Sequence, residues 1–257
     1  MHRLFKNLRI FLISFACGLA FVGIKYIFHY FNWEVVEQSS LHNSVVSSVI
    51  FVIGFLLSAT IADYKESERI PAEFAANIED MYEDAASIHA GYPTFDLEGF
   101  RNQLKVIAEG FGNDVRRQTY DVRQEIKELS AYFAAMEKGK VPPNFVVKLK
   151  QQQTVLLKHR LRVTYIQRIN FIPSATILVR SIVAMTLLLL LFTNIDPFYG
   201  GLAIGGLLSF VLIYMLILIR VIGLPFHAEG KTQDDVSLFL IDDTIKYLSD
   251  EAQKKSS

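Results

Sequence analysis

Four stretches of the chain are apolar without the alternation of a strand, and without the one-sided stripe of a surface helix. They cover residues 10–30, 44–62, 173–193 and 201–222. With a rise of about 1.5 Å per residue, each is long enough as a helix to cross a hydrocarbon core of roughly 30 Å. The second stretch organises the rest. No Asp, Glu, Lys or Arg falls between Gln38 and Ala62, and then Asp63, Lys65, Glu66, Glu68 and Arg69 follow at once. Nothing there stops a helix before Pro71, so the pattern predicts one helix that leaves the membrane and continues into water.

Residues 63–171 read differently. Apolar residues recur at helical spacing among charges, and the breaks fall at Gly and Pro. After Pro71 one helix ends at Gly91-Tyr92-Pro93. A second covers 95–111 and closes at Gly110-Phe111-Gly112. A third covers 113–138, and Val141-Pro142-Pro143-Asn144 separates it from a fourth over 145–170. Beyond the last span an irregular stretch begins at Leu224, and a short helix is predicted over 234–250. The fold class is therefore all-α: a polytopic membrane protein with four transmembrane helices and a cytoplasmic helical bundle. Its parts are a first transmembrane pair (1–62), the bundle (63–171), a second pair (172–223) and a cytoplasmic tail (224–257).

Charge supplies the orientation. Residues 63–171 hold sixteen Lys and Arg against sixteen Asp and Glu, the balance of a solvated bundle, and Arg3, Lys6 and Arg9 precede the first span. The connections 32–43 and 194–200 hold no Lys or Arg. Positive charge concentrates on the cytoplasmic side, so both termini are expected there, in an inner or plasma membrane. A basic start before an apolar run is also the form of a signal peptide. Here the run continues through Tyr26, Ile27 and Phe28 with no small-x-small cleavage site, so a retained span is expected. Lys25, near its far end, is expected to snorkel to an interface anchored by Tyr26, Tyr30 and Trp33.

Composition narrows the chemistry. The chain is 51% hydrophobic and 20% charged with zero net charge, which fits a membrane protein and argues against a nucleic-acid partner. One cysteine, Cys17, permits no intrachain disulfide and no cysteine-based metal site. Six scattered histidines form no zinc motif, and no acid, base and nucleophile share a recognisable spacing. No enzyme, catalytic residue, cofactor or resident metal is expected. Gly200-Gly201 and Gly205-Gly206 precede a hydrophobic span rather than follow a strand, which indicates close helix packing instead of a nucleotide loop.

The candidate residues lie mostly in the second span. A spacing of four places Ser47, Phe51 and Phe55 on one helix face, with Ser58 beyond. Two readings are open: a packing face, because small serines let membrane helices approach, or a pore wall with a polar mouth and an aromatic constriction. Arg180 sits about two turns into the third span, where it can snorkel, pair with an acid or attract an anion. The doublet Asp234-Asp235 offers carboxylates for a hard cation, yet its spacing matches no calcium loop, and a solvated helix start explains it more cheaply.

Two short stretches carry a family resemblance. Gly54-Phe55-Leu56-Leu57-Ser58, followed by Asp63 and Arg69, is similar to the Gly-Phe-x-x-Ser stretch of the bestrophin family of anion channels. Leu224-Pro225-Phe226, followed by Asp234-Asp235-Val236-Ser237-Leu238, is similar to that family's Asn-Pro-Phe-Gly motif with its downstream acidic and leucine residues. The layout of two helices, a large cytoplasmic helical segment and two more helices extends the resemblance over most of the chain, as a divergent bestrophin-like family. It implies passive conduction of small anions such as chloride. It also implies a homo-oligomer in the lipid bilayer, pentameric in characterised bestrophins, with the second helix lining a central pore. The narrow neck would fall on Phe51 and Phe55, with Ser47 one turn further out and Ser58 beyond. Apart from the resemblance, Arg180, Asp234 and Asp235 are candidate ion or gating contacts on their charge and position alone. Leu224 and His227 replace the motif's Asn and Gly, and six residues separate His227 from Asp234 where animal members carry a dense acidic run, which puts calcium activation in doubt. Leu41-His42-Asn43-Ser44 stands where a proline usually precedes the second helix. Ion preference is open, because some bacterial relatives conduct cations. The rival reading is a non-conducting membrane scaffold or sensor that works through its bundle.

Overall fold

The computed structural model describes residues 8–117, 121–168, 173–226 and 235–256. Helices account for nearly all of them: α1 (Arg9–Tyr30), α2 (Ser40–Gly91), α3 (Leu97–Arg117), α4 (Arg123–Lys138), α5 (Pro143–Arg168), α6 (Pro173–Phe192), α7 (Phe198–Ile222) and α8 (Phe239–Ser256). Two two-residue strands, β1 (Val36–Glu37) and β2 (Thr193–Asn194), pair in parallel, Val36 with Thr193 and Glu37 with Asn194. Four of the helices, α1, α2, α6 and α7, are long and apolar enough to cross a membrane.

Helix α2 is continuous for 52 residues, about 78 Å at the ideal rise. Pro71 lies inside it rather than at a boundary. An interior proline removes one backbone hydrogen bond and costs on the order of 3 kcal/mol. Ile70, Phe74, Ile78, Met81 and Ala85 around it are all buried, and that packing outweighs the local penalty.

The chain divides into two compact units. The first holds α1, the start of α2 through Tyr64, α6 and α7. Its core is the seam of Val49, Ile53, Val179, Val183, Leu212 and Ile219, flanked by Leu56, Leu57 and Met215. In lipid such burial gains little from the hydrophobic effect, because acyl chains are as apolar as leucine; the gain is dispersion in a close fit. The α1–α7 contact shows what that fit requires. Ser14, Gly18, Gly205, Gly206 and Ser209 are all buried along it. A Cβ on Gly18 would lie 3.2 Å from the Phe210 Cβ and 3.3 Å from the Gly206 carbonyl, and one on Gly206 would lie 2.5 Å from a Val22 methyl. The paired glycines before the last span are thus a packing device.

The second unit contains α2 from Lys65 onward, α3, α4, α5 and α8. Its core is largely aliphatic with aromatic rings set into it: Phe74 stacks on Phe111 with centroids 3.8 Å apart, and Phe100 meets Phe95 and Tyr132 edge-on. The expected stop at Gly110-Phe111-Gly112 does not occur, and α3 runs through to Arg117. Two helical glycines cost about 1 kcal/mol each, whereas burying Phe111 completely is worth more. Helix α4 accordingly starts at Arg123 rather than near 113, and α8 starts at Phe239 rather than 234. One buried ion group stands among these helices. Arg160 donates from Nε to Asp114 at 3.0 Å and lies 3.1 Å from Asp121, with Arg160 and Asp114 both buried. Burial pushes the Asp114 carboxyl up, against the opposing pull of Arg160.

Gly18→Leu should therefore separate α1 from α7 and destabilise the detergent-extracted protein by about 1–3 kcal/mol. A thermal melt lowered by several degrees is the expected result. Gly23→Leu, whose site has nothing within 4 Å of an added Cβ, is the control that should melt unchanged.

Candidate functional site

The seam of the first unit fixes the rotation of α2. Val49 and Ile53 point into the core, 8% and 0% exposed, so residues on the opposite face must point away from it. Phe51 and Phe55 are 75% and 71% exposed, and Ser47 and Ser58 are exposed with them. All four candidate residues of the second span therefore share one uncovered face. The serines differ in a telling way. The hydroxyls of Ser44 and Ser48 donate back to the carbonyls of Ser40 and Ser44, at 2.9 and 2.8 Å. This is the usual way a hydroxyl is satisfied in hydrocarbon. Among the described residues, Ser47 and Ser58 have no such partner, and their hydroxyls face outward. The face is apolar at its middle and carries an unspent hydroxyl at either end.

A different arrangement closes the unit at the α1–α2 connection. Lys25 does not snorkel; it is 3% exposed and turned inward. Its ammonium lies 2.5 Å from the Glu34 carboxylate and donates to the backbone carbonyls of Leu191 and Thr193. Those carbonyls are orphan acceptors at the end of α6, where a cation also suits the helix dipole. All three ammonium protons are used. His29 Nδ1 lies 2.7 Å from the other Glu34 oxygen, and its ring stacks on Phe198 at 3.7 Å. Thr193 donates its hydroxyl to the Leu189 carbonyl, so His42 Nδ1, 3.2 Å away, is the donor in their contact. Sequence spacing alone did not expose this clamp, because Lys25 and Glu34 are joined to α6 only through the tertiary fold. The one available signal was a lysine inside an apolar run.

Arg180 lies on α6, exposed, and makes no ion pair among the described residues. It lines a cleft of about 350 Å³ with Arg220 of α7, a residue not singled out in the sequence. Asp235 is partly buried ahead of α8, next to Val236, whose N–H donates to the Pro225 carbonyl at 3.0 Å. Asp234 lies outside the described residues. The structure thus groups the four α2 residues on one face, and places Arg180 in the first unit and Asp235 in the second. Among the described residues, no three His, Cys, Asp or Glu side chains converge as metal ligands.

Comparison with known proteins identifies the architecture. No family model matches the sequence, and no curated protein matches it either. Solved structures do. A bacterial bestrophin homologue from Klebsiella pneumoniae, in a point-mutant form, superposes with a TM-score of 0.80 at 12% identity, covering 95% of this chain and 97% of that one. A second mutant form gives 0.79 at 12% identity, over 93% and 97%. A further structure of that homologue gives 0.76 at 13% identity, over 95% and 98%. The fold is bestrophin-like and, among the described residues, helical with only β1 and β2 as strands; with its four apolar helices the chain is an integral membrane protein.

Glu34 makes the Lys25 clamp sensitive to acid. Burial pushes its carboxyl up, but hydrogen bonds from His29 and Lys25 and their positive charge outweigh that, leaving it below the usual glutamate value. A depressed carboxyl stabilises the fold fully above the unfolded value, about 4.3, and that contribution is lost as pH falls through the lower folded value. Melting curves taken from pH 7 down to pH 3 should show this acid loss. Glu34→Gln should lower the melting temperature at pH 7 and flatten the acid dependence below pH 5.

Proposed function

We propose that this chain is the subunit of an oligomeric ion channel, and that the uncovered face of α2 lines its central pore. The observation that carries the reading is the stripe of Ser47, Phe51, Phe55 and Ser58, turned away from its own protomer with two free hydroxyls. In lipid, exposed phenylalanines carry no penalty, but an outward hydroxyl lacking the usual back-bond prefers water or a neighbouring subunit. A ring of subunits provides both. The bestrophin-like fold supports the same assembly, a homo-oligomer and most simply a pentamer.

Repeated around an axis, Phe51 and Phe55 form two stacked aromatic rings. Ring edges carry partial positive charge and can brush a partly dehydrated anion, while the apolar constriction excludes bulk water and gates by dewetting. Ser47 and Ser58 supply hydroxyls at the ends of the neck, where hydration is lost and regained. The ions are small anions such as chloride, and conduction is passive, with no chemical turnover. The absence of Lys and Arg from the connections 32–43 and 194–200 supports an orientation with both termini and the bundle on the cytoplasmic side.

The experiment is a planar-bilayer recording of the purified oligomer under an asymmetric KCl gradient. Reversal near the chloride equilibrium potential is expected. Reversal near the potassium potential would overturn the anion assignment, and no current from folded, inserted protein would overturn the channel. Phe55→Ala should widen the neck and raise single-channel conductance by roughly twofold or more, with weaker selectivity among anions of different size. An unchanged current from a correctly assembled variant would remove Phe55 from the pore.

A further inference from the structure

The cleft holding Arg180 and Arg220 has no part in the proposed pore. Residues of α2, α6 and α7 line it, and its walls are mostly aliphatic, with Leu56, Ile177, Leu216 and Ile219 among them. Two guanidinium groups and the Thr176 hydroxyl supply its polar side. Helices α6 and α7 run in opposite directions, joined by a short connection, so the start of α6 and the end of α7 lie at the same end of the unit. Arg180 is seven residues past Pro173, about 10 Å along the helix axis, and Arg220 is in the last turn of α7. Arg220 therefore lies at the end of its span, and Arg180, about two turns into its own, has a side chain long enough to extend toward the same end.

Neither arginine makes an ion pair or side-chain hydrogen bond among the described residues, whereas Arg116, Arg123, Arg160 and Arg162 of the second unit each pair with a carboxylate. Two like charges beside one apolar cleft repel each other unless an anion sits with them, and a guanidinium presents a planar fork suited to phosphate oxygens. Basic pockets between transmembrane helices at the headgroup level are suited to anionic lipid. We propose that this cleft binds an anionic phospholipid, with its phosphate between Arg180 and Arg220 and an acyl chain along the aliphatic wall. This binding does not depend on conduction.

The test is lipid retention by the full-length oligomer, measured by native mass spectrometry after exchange into phosphatidylglycerol or phosphatidylcholine micelles. Phosphatidylglycerol should be retained preferentially. Retention should fall roughly tenfold for Arg180→Gln or Arg220→Gln, and further for the double variant. Arg180→Lys should keep part of it, because the charge remains while the fork is lost. Competition by millimolar inorganic phosphate separates the two sources of such an anion. Failure to displace the lipid supports the lipid site, and full displacement overturns it in favour of a free-phosphate site. Equal retention of both lipids by wild type and the double variant overturns the proposal. So does a double variant that loses its oligomeric state with no lipid dependence, because the arginines then serve a subunit contact. Recording the same preparations in bilayers keeps the two readings apart: current without lipid preference sinks only this proposal, and lipid preference without current sinks only the channel.

Discussion

The close apolar fit of Val49 and Ile53 against Val179, Val183, Leu212 and Ile219 is the constraint from which the rest follows. A helix has one rotation about its axis, and burying this seam spends it. Once Ile53 is fully enclosed, Phe51 and Phe55 have nowhere to go but outward. The orientation of the candidate pore face is thus a consequence of core packing in the same helix, not a separate feature. It holds because the small residues Gly18, Gly205 and Gly206 let α1 and α7 close up beside it without lipid intruding.

The polar groups of the first unit fall into two kinds, and the difference is informative. Lys25, Glu34, His42 and Thr193 spend their hydrogen-bonding capacity inside the protomer, fastening the end of α6 to α1 and the following connection. Such a network rigidifies, and breaking it leaves a buried charge. Among the described residues, Ser47, Ser58, Arg180 and Arg220 spend none of theirs inside. These four are exposed and can meet something outside the protomer, unlike the Ser14 and Ser209 hydroxyls, which lack a partner but are buried at the α1–α7 contact. On the proposed readings that something is the permeating ion and its water for the serines, and anionic lipid for the arginines.

Much of this was legible in the chain itself. The four spans followed from length and hydropathy, and the stripe on α2 followed from spacing by four, because helical periodicity is local. What the sequence could not show was long-range. Gly110-Phe111-Gly112 looks like a helix stop until Phe111 is seen stacked on Phe74, nearly forty positions earlier in the chain. Lys25 reads as a snorkelling residue because its partners, Glu34 and the carbonyls of Leu191 and Thr193, meet it only in the folded unit. Arg220 ends an apolar run like any interfacial arginine, and only the fold sets it beside Arg180. Local propensity located the elements, and tertiary packing decided their ends and the use of their charges.

The most direct measurement is aqueous access to α2 while current flows. In a Cys17→Ala background, single cysteines would replace Ser47, Phe51, Phe55 and Ser58 on the uncovered face, and Val49 and Ile53 on the buried one. A small charged thiol reagent applied during bilayer recording should change the current at the first four positions and leave the last two unaffected. Reaction at none of the four, in channels that still conduct, would place the pore elsewhere and contradict the account.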